Sequence, residues 1–141
     1  MKERVERVYS QGEEELDAIL LMNDVEPNTD LSFFYVTGAG SGVFEGCLAV
    51  LWPDGGLDLL ISQLEETSAV HTEGQIRVFN KGQEREELVK ELLGQGKRIG
   101  VNGSGLTYRN ALTLQKWLPD AEMVDVHGRF ESARMVKDQR E

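Results

Sequence analysis

A chain of 141 residues with a single cysteine is the size of one domain with its own core, and it excludes an internal disulfide framework. The formal net charge of -10 argues against a nucleic-acid or anionic-membrane surface, because binding phosphates requires clustered lysine and arginine. No apolar run approaches the ~20 residues of a membrane span, and charged residues follow Met1 at once with no apolar signal core; a cytoplasmic protein is expected.

In chain order, Lys2 to Glu15 is polar with Val5, Val8 and Tyr9 at helical spacing, which predicts a leading helix. Ala18-Ile19-Leu20-Leu21-Met22 is a continuous apolar run, the pattern of a strand buried on both faces. Asn23 to Asp30 reads as a loop, and its acidic spacing matches no calcium loop. Phe33-Phe34-Tyr35-Val36-Thr37 followed by Gly38, Gly40, Gly42 and Gly46 crowds aromatics and glycines together, too glycine-rich as a whole for a regular helix or strand. A strand is expected to follow from Val43 to Leu51, with Cys47 to Trp52 its buried part and Cys47 a packed, inert thiol. Pro53-Asp54-Gly55-Gly56 predicts a turn, and Leu57 to Ile61 the partner strand of a hairpin.

Gln63 to Val70 is expected as a helix and Ile76 to Phe79 as a strand. Glu84 to Leu93 is amphipathic: Leu88, Val89, Leu92 and Leu93 share a face, Glu86 and Lys90 pair at i,i+4, and Gly94 and Gly96 supply the stop. Arg98 to Val101 predicts a strand. Thr107 caps a helix carrying Ala111, Leu114 and Leu118, which Pro119 ends. Met123 to Val126 is the last strand and Phe130 to Lys137 the last helix. Strand–helix alternation in the second half with an early hairpin predicts an α/β domain: three layers, with a mixed, mostly six-stranded sheet flanked by helices.

Three patterns invite chemistry. Gly38, Gly40 and Gly42 suggest a phosphate loop, yet a dinucleotide fingerprint needs a strand before the glycines and a helix after them. Gly103-Ser104-Gly105 lies between a strand and a helix but lacks the Gly-x-Ser-x-Gly spacing of a nucleophile elbow, and neither His71 nor His127 stands in a triad context. Asp125 and His127 supply two ligands, one short of the usual catalytic zinc set. The residues by themselves give a soluble α/β domain with no catalytic set and no metal site. A free-standing small-molecule or nucleotide-binding module using Gly38 to Gly42 is the alternative reading.

The order of several segments adds a resemblance. Leu16 to Leu21, Phe34-Tyr35-Val36-Thr37-Gly38, Pro53-Asp54-Gly55, Lys97-Arg98-Ile99-Gly100-Val101 with Leu106-Thr107-Tyr108, and Ala121 to Val126 with Arg134-Met135-Val136-Lys137 together resemble the N-terminal domain of Xaa-Pro peptidases, the aminopeptidase P, prolidase and creatinase group. The stretch from Glu26-Pro27-Asn28 to Phe44-Glu45-Gly46, with Leu64-Glu65-Glu66, is similar to an archaeal-type branch. Departures occur at Phe34, where the group often has arginine, and at Gln63-Leu64, where it often has Arg-Tyr; no basic substrate contact is carried over to those two positions. The resemblance implies an RNase-H-like sheet without that nuclease's carboxylates, spanning residues 1–141 as one domain. It also implies a following pita-bread catalytic domain beyond Glu141 that holds two divalent metal ions (Mn, Co or Zn) and cleaves proline-containing peptides. The N-terminal domain would then shape substrate access and assist assembly of a homodimer. Phe33, Phe34, Tyr35, Gly38, Gly40, Ser41 and Gly42 are the expected surface toward substrate or partner, with core packing the competing role for the aromatics.

Overall fold

The computed structural model describes residues 2–39, 42–72 and 74–135. Its elements are α1 (Lys2–Ser10), β1 (Ala18–Met22), α2 (Leu31–Thr37), β2 (Leu48–Leu51), β3 (Leu57–Ser62), β4 (Gln75–Phe79), α3 (Gly82–Leu93), β5 (Arg98–Val101), α4 (Tyr108–Trp117), β6 (Glu122–Asp125) and α5 (His127–Met135). Two short 3-10 turns, Gln63–Glu65 and Ser68–His71, link β3 to β4.

The strands form one mixed sheet in the order β4-β3-β2-β1-β5-β6. β1 pairs antiparallel with β2 through Ile19 opposite Leu51, and β2 with β3 through Leu51 opposite Leu57, across the Pro53–Gly56 turn. The pairs β3–β4, β1–β5 and β5–β6 are parallel. Every residue of β1 and β2 is buried, as their unbroken apolar runs require of strands covered on both sides.

Side chains alternate across the sheet and build two cores. On one face Ile19, Leu21, Ala49, Leu51, Leu59 and Ile61 pack with Val5 and Val8 of α1, Phe33 and Val36 of α2, and Phe130 and Ala133 of α5. On the other, Leu20, Met22, Leu48, Val50 and Leu60 pack with Val89 and Leu93 of α3 and Leu114 and Trp117 of α4. Each fully buried Val, Leu, Ile, Phe or Met among them contributes roughly 1.5–3 kcal/mol of transfer free energy. The architecture is the three-layer α/β domain with a six-stranded mixed sheet.

Local departures from the sequence reading have local causes. The aromatic segment is a helix, α2, because the glycines begin only at its end. Asp30 caps its start by accepting from the Ser32 amide, and Gly38, at φ 70°, ends it in the left-handed region with its N–H on the Phe34 carbonyl. β2 starts at Leu48 rather than Val43, because Phe44 has φ 52° and the Cys47 amide turns back onto the Phe44 carbonyl. α1 stops at Ser10, ahead of Gly12 and the like-charged run Glu13-Glu14-Glu15. The helix expected over Gln63 to Val70 is the pair of 3-10 turns, the first capped by Ser62 on the Leu64 amide. α5 begins three residues early, at His127, whose amide donates to Asp125; Lys137 lies outside the described residues.

Candidate functional site at the capped edge of the sheet

Because β1, β5 and β6 run parallel, their C-terminal ends meet at one edge, where open α/β sheets usually hold ligands. α4 and α5 follow β5 and β6 directly, and the Asp30 cap of α2 joins them at this edge through Asn102. A helix start carries free N–H groups and a partial positive charge, the raw material of an anion site. Here each start is already occupied by the chain. Asp30 accepts from the Ser32 amide at 2.9 Å, Thr107 from the Asn110 amide at 3.2 Å, and Asp125 from the His127 amide at 3.0 Å.

Asn102, the residue after β5, links the Asp30 cap of α2 to His127 at the start of α5. Its Nδ2 donates to Asp30 at 2.9 Å and to Ser32 Oγ at 3.2 Å, and its Oδ1 accepts from the Ser104 amide at 3.2 Å. His127 Nδ1 lies 3.1 Å from the same Oδ1. Arg134 of α5 donates to Ser32 Oγ at 3.2 Å. Asn23, the residue after β1, accepts from the Asp30 amide and donates to the carbonyls of Val43 and Phe44. Burial holds the Asp30 carboxyl above its ordinary range, against the opposing pull of its hydrogen bonds and of Arg134.

Gly103 and Gly105 make room for this arrangement. A Cβ at Gly103 would stand 2.7 Å from the Asp125 carboxylate, and one at Gly105 would stand 2.7 Å from that of Asp30. Gly103-Ser104-Gly105 is therefore a seat for two carboxylates of the protein itself. Ser104 gives its amide to Asn102, while His127 faces Asn102 and Glu131. Asp125 Oδ1 is engaged by the amides of Gly103 and His127. Among the described residues, no group of three His, Cys, Asp or Glu side chains is placed to hold a metal ion.

The segment expected to face a substrate or partner continues α2 away from its capped start. Phe33 is fully buried, 5.4 Å from the Phe34 ring and 5.8 Å from that of Phe44. Tyr35 is buried too, with its carbonyl accepting from Arg4, that guanidinium over its ring at 4.6 Å, and its hydroxyl donating to the Ala133 carbonyl. Phe34 is half-buried. Gly38 closes α2, and Gly42 lies against Glu65, Ser68 and Phe44; Gly40 and Ser41 lie outside the described residues. The loop therefore leaves a helix C-terminus, whose carbonyls and partial negative charge disfavour phosphate. Cys47 is fully buried, and burial pushes its thiol up to about 11.

At the opposite edge, Tyr9, Glu14, Asp17, Pro53, Arg98 and Arg129 line a cleft of about 520 Å³. Its guanidinium groups serve the fold. Arg129 donates to the carbonyls of Tyr9 and Glu14, and Arg98 pairs with Glu14 at 2.8 Å and Glu122 at 3.3 Å. Asp17 accepts from the amides of Lys97 and Arg98, which hold its carboxyl below the ordinary range.

Sequence reasoning gave no site role to Asn23, Asp30, Ser32, Asn102 or Arg134. The usable signal was position: a polar side chain directly after an apolar strand, as at Asn23 and Asn102, must find partners at the sheet edge.

Comparison with known proteins fits this geometry. The family described as the creatinase/prolidase N-terminal domain matches residues 4–136. A search of the curated proteins finds no match. Among solved structures, the prolidase from Pyrococcus horikoshii OT3 superposes with a TM-score of 0.75 at 22% identity, over 99% of this chain and 37% of that one. A proline dipeptidase from Streptococcus pneumoniae gives 0.76 at 19% identity, over 97% and 100%. The creatinase/prolidase N-terminal domain of an X-Pro dipeptidase from Streptococcus pyogenes gives 0.71 at 14% identity, over 94% and 99%. The chain thus spans little more than a third of the Pyrococcus prolidase. On the match over nearly its whole length, the chain belongs to the creatinase/prolidase N-terminal domain family.

Proposed function

We propose that this chain is the non-catalytic N-terminal domain of a metal-dependent Xaa-Pro dipeptidase or aminopeptidase of the cytoplasm, shaping substrate access and assisting dimerisation. The observation that carries this reading is the family match over residues 4–136, set beside a prolidase of which the chain covers only 37%. On this reading the chemistry sits in a C-terminal catalytic domain that follows in the parent protein. Two divalent ions there, Mn, Co or Zn, would activate the water that cleaves the bond before proline. The site residues described above support a structural role for this chain, since the helix starts that could take an anionic ligand are capped by its own side chains.

Half-buried Phe34, edge-on to Phe44, is the residue of Phe33 to Tyr35 best placed to meet a substrate or a second subunit. The test compares the 141-residue chain with the full-length parent. The chain alone should neither retain Mn, Co or Zn on dialysis nor cleave an Xaa-Pro peptide. Metal-dependent turnover by the chain alone would refute the assignment. In the full-length parent, Phe34→Ala should change KM across a peptide series, or the dimer dissociation constant, by about threefold or more while metal content stays fixed. Unchanged kinetics and assembly would remove Phe34 from that role.

A further inference from the structure

Asn102 is followed by Gly103, the one Asn-Gly pair in the chain. Asparagine is a thermolabile residue. A glycine after it favours its breakdown, because no Cβ shields the next backbone nitrogen and the backbone turns freely there. The reaction is internal. The Gly103 nitrogen attacks Cγ of Asn102, a five-membered succinimide closes, and Nδ2 leaves as ammonia with the Gly103 proton. Water then opens the ring at either carbonyl and leaves aspartate or isoaspartate in place of Asn102.

In the native domain every group of this reaction is engaged elsewhere. The nucleophile's N–H donates to Asp125 Oδ1 at 2.9 Å. The departing Nδ2 donates to Asp30 and Ser32, and Oδ1 of the same amide faces the Ser104 N–H and His127 Nδ1. The Asn102 carbonyl accepts from the amides of Gly105 and Leu106 at 3.1 and 2.9 Å, which fixes the peptide that would have to swing for ring closure. The product fits as badly as the reactant fits well. An aspartate here would turn a carboxylate oxygen onto Asp30 where the amide now donates at 2.9 Å. Two buried carboxylates so close repel while both are ionised. Isoaspartate would also add a methylene to the main chain directly after β5.

We propose that Asn102-Gly103 is a latent self-modification site: the fold locks it, opening of this sheet edge arms it, and conversion keeps the edge from closing again. Each excursion that frees the edge exposes the pair to its own chemistry. Conversion then turns a reversible opening into an irreversible one, so the domain records its own unfolding. The proposal does not depend on the peptidase reading.

The test incubates the 141-residue chain at neutral pH, native and in guanidinium, beside the free tryptic fragment from Ile99 to Arg109, whose sole asparagine is Asn102. Mass spectrometry of that fragment reads the exchange of amide for carboxylate. Isomerisation of the exposed Asp54-Gly55 turn changes no mass and lies in another fragment. Native chain should convert at least about tenfold more slowly than unfolded chain or free fragment. Equal rates in the native and unfolded chain would overturn the lock. Asp125→Ala frees the Gly103 N–H, so below its own melting temperature it should convert about threefold or more faster than the native parent. An unchanged rate would overturn the lock at the nucleophile, and a slower one would make Asp125 a base for the attack, which also overturns it. Asn102→Asp, the product made genetically, should melt about 5 °C or more below the parent, or fail to fold. Melting together with the parent would overturn the claim that conversion keeps the edge open.

Discussion

At the scale of single residues, Asn102 is the side chain on which the candidate site depends. It is 5% exposed and meets the cap of α2, the loop before α4 and the start of α5 at once. Removing one member of a buried polar network leaves the others desolvated and unpaired, which costs more than the bonds are worth singly. Asn102→Ala should therefore destabilise the fold by about 2–3 kcal/mol, read as a lower urea midpoint at unchanged m. A change below about 0.5 kcal/mol, the level of ordinary surface substitutions, would mean that water replaces the amide. Little of this was legible beforehand. The sequence displays Gly103-Ser104-Gly105 as a local motif, whereas the partners of Asn102 just before it, Asp30 and Ser32, lie 72 and 70 residues away along the chain.

At the scale of elements, the aromatic segment is the instructive case. Read as one block, Phe33 to Gly46 has too many glycines for regular structure. The fold divides it: seven residues form α2, Gly38 ends that helix, and Phe44 sits in a left-handed turn with its ring fully buried. Phe44 pays a conformational cost that its ring recovers against Phe33 and Phe34. Gly38 has no such compensation available, since an alanine there keeps the left-handed strain and adds no burial. Gly38→Ala should cost about 1 kcal/mol of stability, measured by thermal or urea unfolding. A neutral result would show that the helix end shifts its cap. Strands and amphipathic helices were easier to read, because their periodicity is set by the core they face. Val89 and Leu93 of α3 are buried as their spacing requires, and Lys90 donates to Glu86 at 2.7 Å.

At the scale of the whole molecule, two carboxyl groups at opposite edges of the sheet oppose each other in acid. Asp17 is held low by the amides of Lys97 and Arg98, so its contribution is present above the unfolded-state value and is lost as pH falls through its folded value. Asp30 is held high by burial, so it costs stability while ionised, and that cost disappears as pH falls through its folded value. Asp17→Asn should therefore flatten the acid limb of a stability–pH curve, whereas Asp30→Asn, which keeps a competent cap, should steepen the loss on acidification relative to the parent. Urea midpoints between about pH 7 and about pH 2.5, reaching below the ordinary carboxylate range, read both. The same slope in both variants would remove the distinction. At this scale the sheet has two unlike edges: β6 carries Glu122 and Asp125, while β4 leaves Ile76 and Val78 each 39% exposed. Charged edges resist strand addition and apolar ones invite it.

The sequence by itself determined the class and most of the layout. Runs such as Ala18 to Met22 are apolar at every position only where both faces are covered, and the Pro53–Gly56 turn forces a hairpin between its neighbours. Both are local rules, legible from a dozen residues, and the order of motifs pointed to the family that the match over residues 4–136 establishes. The tertiary structure decided what happens at the ends of the strands. The caps themselves are local, since Asp30, Thr107 and Asp125 each accept from an amide two or three residues on; what the fold added is the joining of distant segments at this edge, Asn102 to Asp30 across 72 residues and Arg134 to Ser32 across 102. Local pattern does not encode such long-range pairings, because side-chain periodicity reports which face is buried and not which strand end lies beside which helix.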